Sequence, residues 1–155
     1  MRGLEKQIIA DDMHKQTLLL VEDSEDDAFL FNRTFEKSGT ALGIHHVPNG
    51  AEAIEFLRGA ASSNSLPRII LLDLKMPTVN GFDVLKWMQK QTFFSQIPVV
   101  VVSGSAQQED KDRASKLGAA DYMVKPVTIA DLHRLLAPFS SESKDPAPSE
   151  AEAQA

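Results

Sequence analysis

The sequence contains no cysteine, so disulfide bonds, thiolate metal sites and thiol redox chemistry are excluded. It also has no run of lysine and arginine, and its formal net charge is −6. Non-specific nucleic-acid binding draws its affinity from basic side chains that neutralise phosphates, so this charge balance argues against that function. No stretch is apolar and long enough for a signal peptide or a membrane span, and we expect a soluble, cytoplasmic protein without a membrane partner.

The composition is that of a folded globular protein, with 43% hydrophobic and 25% charged residues in a chain of 155. Residues 1–15 are polar and are interpreted as an N-terminal lead-in. From residue 140 onward the sequence is polar and contains two prolines, which predicts a disordered C-terminal tail over 140–155. A single domain is therefore predicted over residues 16–139.

Short apolar runs alternate with helical patterns along this domain. The run Ile69–Leu72 has four apolar residues without polar alternation, which is typical of a strand buried on both faces of a parallel sheet. Further strands are predicted at Thr17–Val21, Ile44–Val47, Ile97–Val102 and Asp121–Val124. Five strands alternating with five helices predict an α/β fold with a doubly wound, five-stranded parallel sheet.

The first predicted helix begins after Ser24, a good N-cap residue, and ends at Gly39. Asp26 and Asp27 lie in its first turn and are interpreted as charges that favour a helix start. Gly59–Pro67, a stretch of small residues, is interpreted as a loop after the second helix.

The fourth and fifth predicted helices differ in their apolar content. The fourth, Gln107 to Leu117, has only Ala114 and Leu117 as an apolar stripe, and Gly118 is its expected C-cap. The other helices carry fuller stripes: Ala28, Phe31 and Phe35; Ala53, Ile54 and Leu57; Phe82, Leu85 and Met88; and Leu132, Leu135, Leu136 and Phe139. We therefore expect few buried contacts to hold the fourth helix in place.

Polar residues follow four of the five predicted strands. They are Glu22 and Asp23 after the first, Asp73 after the third, Ser103 after the fourth and Lys125 after the fifth. The carboxyl ends of parallel strands meet at one edge of the sheet, so we expect these side chains to converge. Three clustered carboxylates repel one another, and Mg²⁺, which prefers oxygen ligands, would relieve that repulsion. With Lys125 included, such a site has no net charge and could receive a phosphoryl group.

The motifs around these residues resemble the receiver domain of two-component response regulators. The motifs are Val21-Glu22-Asp23, Leu72-Asp73-Leu74-Lys75-Met76-Pro77, Val102-Ser103-Gly104 and Tyr122-Met123-Val124-Lys125-Pro126. The resemblance covers about residues 16–139 and implies a flavodoxin-like sheet with strand order 2-1-3-4-5. The chain looks like a stand-alone, single-domain regulator of the type paired with phytochrome kinases.

The resemblance implies a role for each residue at the strand ends. Asp73 is the expected phosphoacceptor, taking a phosphoryl group from the phosphohistidine of a sensor histidine kinase or phosphotransfer protein. Glu22, Asp23 and Asp73 are expected to hold Mg²⁺, aided by the backbone carbonyl of Lys75. Phosphoryl transfer needs mainly positioning and charge stabilisation. The domain is therefore expected to catalyse only its own phosphorylation and dephosphorylation, and not to be an enzyme acting on an external substrate.

The resemblance also implies how the phosphoryl group is sensed. Ser103 is expected to hydrogen-bond it and Lys125 to pair with it, with a cis peptide bond between Lys125 and Pro126. Ser103 and Tyr122 are expected to form a switch in which Tyr122 turns inward on phosphorylation. The switch is expected to bias a surface made of the fourth helix, fifth strand and fifth helix. Both helices carry charges of both signs, which permit a self-complementary patch, so we expect a homodimer through this surface that tightens on phosphorylation; a solvated charged face on a monomer is the alternative.

Two other classes of function stay open from the sequence. One is a Mg²⁺-dependent phosphatase or phosphotransferase with an aspartyl-phosphate intermediate; such enzymes usually carry a second aspartate two residues after the nucleophile, where Lys75 stands here. The other is a flavodoxin-like FMN-binding module, or a receiver that has lost phosphorylation. Glu22 and Asp23 would repel a flavin phosphate after the first strand, and none of the receiver residues is missing.

Overall fold

Five strands and five α-helices alternate along residues 17–139, the part of the chain that the computed structural model describes. The strands are β1 (Thr17–Val21), β2 (Gly43–Val47), β3 (Ile69–Leu72), β4 (Val99–Ser103) and β5 (Asp121–Val124). The helices are α1 (Glu25–Lys37), α2 (Gly50–Ser62), α3 (Gly81–Gln89), α4 (Gln108–Lys116) and α5 (Ile129–Leu136), with short 3₁₀ turns at Thr92–Phe94 and Ala137–Phe139. The predicted lead-in and tail lie outside the described residues. No helix within residues 17–139 has both the length and the apolar character to cross a membrane.

All neighbouring strands are parallel, and their order in the sheet is β2-β1-β3-β4-β5. This confirms the doubly wound, flavodoxin-like fold and the 2-1-3-4-5 order. In the register, Val21 lies opposite Leu72, and Leu72 lies opposite Val101. The carboxyl ends of the three central strands are therefore level, and the residues that follow them share one edge.

The sheet has an apolar layer on each face. One layer packs under α2, α3 and α4, with Leu57, Leu85 and Ala114 among its buried residues. The other packs under α1 and α5, where Phe31 and Leu132 are buried. Each fully buried large side chain contributes about 1.5–3 kcal/mol to stability, so the two layers fix the sheet that carries the strand ends.

The ends of several elements differ from the sequence-based expectation. The predicted loop after Gly59 is wrong at its start, because α2 continues to Ser62; the buried side chain of Ala60 packs on the core and favours helix, while Gly59 faces solvent. Strand β4 begins at Val99 rather than Ile97, since Pro98 has no N–H to donate to a ladder.

Helix α4 is attached by few contacts, as predicted. Ala114 is its one buried residue, and its N-cap, Gln107, makes no side-chain capping bond. The guanidinium of Arg113 lies over the Phe82 ring, 4.0 Å from its centroid, and links α4 to α3. The C-cap residue is Leu117 rather than the expected Gly118, which follows it at φ +102°.

Candidate functional site

The backbone hydrogen bonds of the sheet continue past the ends of β1 and β3. The N–H of Glu22 donates to the carbonyl of Val47 at 3.1 Å, and the N–H of Asp73 donates to the carbonyl of Val21 at 3.0 Å. These bonds hold the two acidic residues in the plane of the sheet. Their side chains therefore start from neighbouring backbone positions at the carboxyl edge.

Three carboxylates meet at this edge, as the sequence predicts. One oxygen from each of Glu22, Asp23 and Asp73 lies within 4.8 Å of the others. Glu22 and Asp73 are buried, whereas Asp23 is exposed. A group of carboxylate oxygens that is open on one side suits a hard divalent cation that keeps some of its water. The cluster could therefore hold a metal ion.

The environment of Asp73 disfavours its charge. Burial raises the pKa of Asp73 to about 7 from an ordinary 3.8, and the negative charge of Glu22 adds to the increase. Lys125 and a hydrogen bond from the N–H of Lys75 to Asp73 Oδ1, 3.4 Å long, lower the pKa only in part. A bound cation would supply the compensation that these groups do not.

Lys125 brings a positive charge to the same edge. Its N–H donates to the carbonyl of Ser103 at 2.8 Å, which continues the β4–β5 pairing. Its Nζ lies 2.8 Å from Glu22 Oε1, 2.8 Å from Asp27 Oδ2 and 3.7 Å from Asp73 Oδ2. Burial alone would lower the pKa of Lys125, but the hydrogen bonds to Asp27 and Glu22 outweigh burial and raise it. The amine is therefore protonated at neutral pH.

Asp27 is a site residue that the sequence interpretation missed. Its N–H does donate to the side chain of Ser24, the N-cap, as a first-turn residue should. Its carboxylate, however, faces the strand ends and binds Lys125. A signal was available: Asp27 lies four and eight residues before Phe31 and Phe35, so it shares the inward stripe of α1.

Ser103 and Tyr122 are linked through the loop that follows β4. Ser103 is fully buried, and its hydroxyl accepts a hydrogen bond from the N–H of Ser105 at 3.1 Å. Tyr122 is half-buried, and its hydroxyl donates to the carbonyl of Ser105 at 2.8 Å. The two predicted switch residues therefore contact the same loop residue, while their role as a switch stays a prediction.

The loop between β3 and α3 is held close to Asp73. The N–H of Gly81 donates to the carbonyl of Leu74 at 3.0 Å, and a Cβ on Gly81 would lie 2.4 Å from the carbonyl oxygen of Asp73. Only glycine permits this approach. The predicted cis peptide bond between Lys125 and Pro126 is confirmed. The metal-binding role of the Lys75 carbonyl stays a prediction.

Comparisons with known proteins agree with this geometry. The family model of the response regulator receiver domain matches residues 18–137. The probable methanogenesis regulatory protein FilR2 of Methanothrix harundinacea is 37% identical over 118 residues, which are 76% of each chain. The polar-differentiation response regulator DivK of Brucella anthropi is 31% identical over 114 residues, covering 74% of this chain and 87% of DivK.

Similar solved structures include several regulators associated with phytochromes. The bacteriophytochrome response regulator RtBRR has a TM-score of 0.71 at 34% identity, with 79% of this chain and 76% of RtBRR covered. The phosphorylated cyanobacterial phytochrome response regulator RcpA has a TM-score of 0.67 at 29% identity, with coverage of 80% and 90%. The Mn²⁺-bound form of the response regulator Rcp1 has a TM-score of 0.65 at 28% identity, with coverage of 88% and 99%.

Receiver domains are generally signalling proteins rather than enzymes, and they interact with histidine kinases or phosphotransfer proteins. The expected resemblance to single-domain and phytochrome-associated regulators is borne out by these relatives. The match over residues 18–137, the strand order and the acidic edge all agree, and the chain belongs to the response regulator receiver domain family.

Proposed function

We propose that this response regulator accepts a phosphoryl group on Asp73 from the phosphohistidine of a histidine kinase or phosphotransfer protein. The observation that carries the proposal is the meeting of Asp73 with Glu22 and Asp23 within 4.8 Å. In the transfer, an Asp73 carboxylate oxygen forms a bond to phosphorus as the bond between phosphorus and the histidine nitrogen breaks. The imidazole leaves with that electron pair and takes up a proton.

The proposal includes Mg²⁺ at the acidic edge, held by Glu22, Asp23, Asp73 and the carbonyl of Lys75. The donors are all oxygens, which Mg²⁺ prefers, and the similar regulator Rcp1 has a Mn²⁺-bound form. When bound, the ion neutralises charge on the incoming phosphoryl oxygens. The chain itself fixes the nucleophile, because Asp73 is held by the backbone of β1.

Ser103 and Lys125 are proposed to position the phosphoryl group. Ser103 is the last residue of β4, at the same edge of the sheet as Asp73, and Lys125 Nζ lies 3.7 Å from Asp73 Oδ2. A hydroxyl donor and an ammonium can hydrogen-bond phosphoryl oxygens from two sides. The same groups would support self-phosphorylation by small donors and hydrolysis of the acyl phosphate by water.

Intact mass measurement after incubation with acetyl phosphate and Mg²⁺ tests the phosphoacceptor. We expect the wild type to gain the mass of one phosphoryl group and Asp73→Asn to gain none. Asp112→Asn is a matched control, since Asp112 is exposed on α4 and bonds only Gln108 among the described residues. EDTA should abolish the gain in the wild type. A full mass gain in Asp73→Asn would overturn the assignment.

The output of the proposed phosphorylation is a change in the face formed by α4, β5 and α5, driven by Ser103 and Tyr122. Both residues contact Ser105 at the start of the loop that leads into α4. A shift of the Ser103 hydroxyl toward the phosphoryl group would remove its bond to the Ser105 N–H. The loss of that bond would favour a shift of α4, because a helix with a single buried residue has few contacts that oppose its movement.

A homodimer through this face is also proposed. Val124 and Ile129 are exposed there at 38% and 37%, large apolar side chains that a partner could cover. They lie among charges of both signs, including Arg134 and Asp121, whose side chains are 3.3 Å apart. A two-fold interface requires a self-complementary patch, and mixed charges around apolar residues provide one.

Light scattering with and without beryllofluoride, a mimic of the acyl phosphate, tests the dimer. We expect the mass to rise toward a dimer with beryllofluoride, and Arg134→Glu or Asp110→Lys to weaken that rise. Glu55→Lys, on the exposed side of α2, is the matched control. A monomer in both states at high micromolar concentration, or a dimer indifferent to both changes, would contradict this part of the proposal.

The proposal assigns these activities to residues 16–139, with residues 1–15 as a lead-in and 140–155 as a tail. A phytochrome-type histidine kinase is the candidate phosphodonor, because the similar proteins RtBRR and RcpA are described as phytochrome response regulators. Sensor kinases take their phosphate from ATP, so the proposed place of the reaction is the cytoplasm.

A further inference from the structure

Lys125 is shared unequally among three carboxylates. Its Nζ lies at 2.8 Å from both Glu22 Oε1 and Asp27 Oδ2, but at 3.7 Å from Asp73 Oδ2. The first two distances are those of charge-assisted hydrogen bonds, whereas the third is too long for one. Lys125 therefore hydrogen-bonds Glu22 and Asp27 but not Asp73.

Asp27 differs from Glu22 in its freedom to compete for the lysine. Glu22 belongs to the group of three carboxylates that could hold a metal ion, and Asp27 does not. A cation at the acidic edge would draw on Glu22 and leave Asp27 as the remaining close partner of Lys125. The Asp27 side chain is 40% exposed and lines an open cavity of roughly 470 Å³, so water can solvate it when it has no partner.

We propose that Asp27 is a positioning residue that holds Lys125 away from Asp73 before phosphorylation and so limits how readily the phosphoryl group is taken up. The inference rests on the proposed function. For Lys125 to pair with a phosphoryl group on Asp73, it must give up or weaken the bond to Asp27.

Asp27→Asn tests the proposal because it removes the charge and keeps the shape. The N–H of residue 27 that donates to Ser24 is retained, so the start of α1 is preserved. The matched control is Asp26→Asn, which makes the same change of net charge in the same helical turn. Asp26 is exposed, and its side chain has no hydrogen bond or ion pair within the described part of the chain. Asp27→Glu restores the charge and serves as a rescue.

The readouts are the initial rate of mass gain with acetyl phosphate and Mg²⁺, and the beryllofluoride concentration for half-saturation followed by Trp87 fluorescence or NMR. We expect Asp27→Asn to raise the rate and lower the half-saturation by about two- to fivefold, the range that a partly exposed ion pair is worth. Asp26→Asn and Asp27→Glu are expected to match the wild type. The increase in rate caused by Asp27→Asn should disappear in a Lys125→Met background, because the effect acts through that lysine.

Each outcome separates the two levels of inference. A wild type that takes up no phosphoryl group overturns the proposed function, whatever the variants do. A wild type that is phosphorylated, with Asp27→Asn equal to Asp26→Asn or slower than the wild type, overturns the role of Asp27 alone. An increase in rate that Asp27→Asn still causes in the Lys125→Met background would also overturn this role, since Asp27 would then act without the lysine.

Discussion

The carboxyl edge of the sheet and the face formed by α4, β5 and α5 carry the same kinds of charged residue in opposite surroundings. At the edge, the side chains of Glu22 and Asp73 are only 5% and 6% exposed. On the face, those of Arg134 and Asp121 are 61% and 43% exposed. Both regions contain ion pairs, so residue type alone does not distinguish them.

The difference lies in what water can do for each charge. On the exposed face, solvent screens an ion pair, and its two charges are stable apart or together. At the edge, carboxylates that lack water depend on one lysine and on any cation that binds. The buried charges should therefore respond strongly to the loss of a neighbouring charge, and the exposed charges should respond weakly.

Replacing the basic side chain of each region, Lys125 at the edge and Arg134 on the face, should give the largest difference in stability. In EDTA at pH 8, we expect Lys125→Met to lower the free energy of unfolding by about 3 kcal/mol, because it leaves buried carboxylates without a partner. Arg134→Met should cost about 1 kcal/mol or less, since Asp121 remains hydrated. Urea unfolding followed by circular dichroism measures both. Equal costs for the two variants would show that burial does not separate the regions.

The pH dependence of stability sharpens the comparison at Asp73. Its folded pKa is raised to about 7 from 3.8, so the folded state binds this proton more tightly than the unfolded chain. The resulting stabilisation is complete below about pH 4 and is lost as the pH rises through 7. Without Mg²⁺, the wild type should lose roughly 1–3 kcal/mol over this window relative to Asp73→Asn.

Urea unfolding at several pH values between 4 and 8 checks this expectation. The quantity to follow is the difference between wild type and Asp73→Asn, because other groups titrate in the same range. Asp112→Asn should follow the wild type at each pH. A difference that is constant from pH 4 to 8 would mean that Asp73 titrates alike in the folded and unfolded chain.

We expect Mg²⁺ to raise the melting temperature by binding at the carboxyl edge, and substitutions on the exposed face to leave that increase unchanged. A ligand that binds only the folded state stabilises it by about 1.4 kcal/mol at ten times its dissociation constant, which raises the melting temperature by about 4 °C. Asp23→Asn should reduce this increment, whereas Asp121→Asn should preserve it. Thermal melts from zero to millimolar Mg²⁺ decide the matter, and an unchanged wild-type curve would count against a metal site.

The sequence predicts the edge well because simple patterns determine it. Ile69–Leu72 is apolar without interruption, so its place in the centre of the sheet and the position of Asp73 at its end follow from pattern alone. Ser24 and Gly39 likewise fix the two ends of α1. Parallel strands with level ends then bring together residues that lie up to 103 positions apart, from Glu22 to Lys125.

What the sequence did not predict depends on contacts between elements. Asp27 lies where an ordinary first-turn acidic residue would lie, and only a contact with a residue 98 positions further along the chain makes it a partner of Lys125. The extension of α2 through Gly59 to Ser62 similarly depends on Ala60 finding a place in the core. Local sequence pattern predicts poorly where the structure or role of a residue depends on a contact with a distant part of the chain.

The smallest expected effect concerns the connection between the two regions. Tyr122 packs against the core layer under α4, and its hydroxyl bonds the carbonyl of Ser105. Tyr122→Phe removes that single bond and should change the free energy of unfolding by about 1 kcal/mol or less. Amide hydrogen exchange in α4 should nevertheless respond to beryllofluoride less in this variant than in the wild type. The reason is that the loop between β4 and α4 has lost the hydrogen bond that connects it to Tyr122. Thr34→Val, which removes the single hydroxyl bond from Thr34 to the carbonyl of Leu30 in α1, is a control of similar size outside that loop. If α4 in Tyr122→Phe responds to beryllofluoride as the wild type does, the face receives its signal by a route that does not need the Tyr122 hydroxyl.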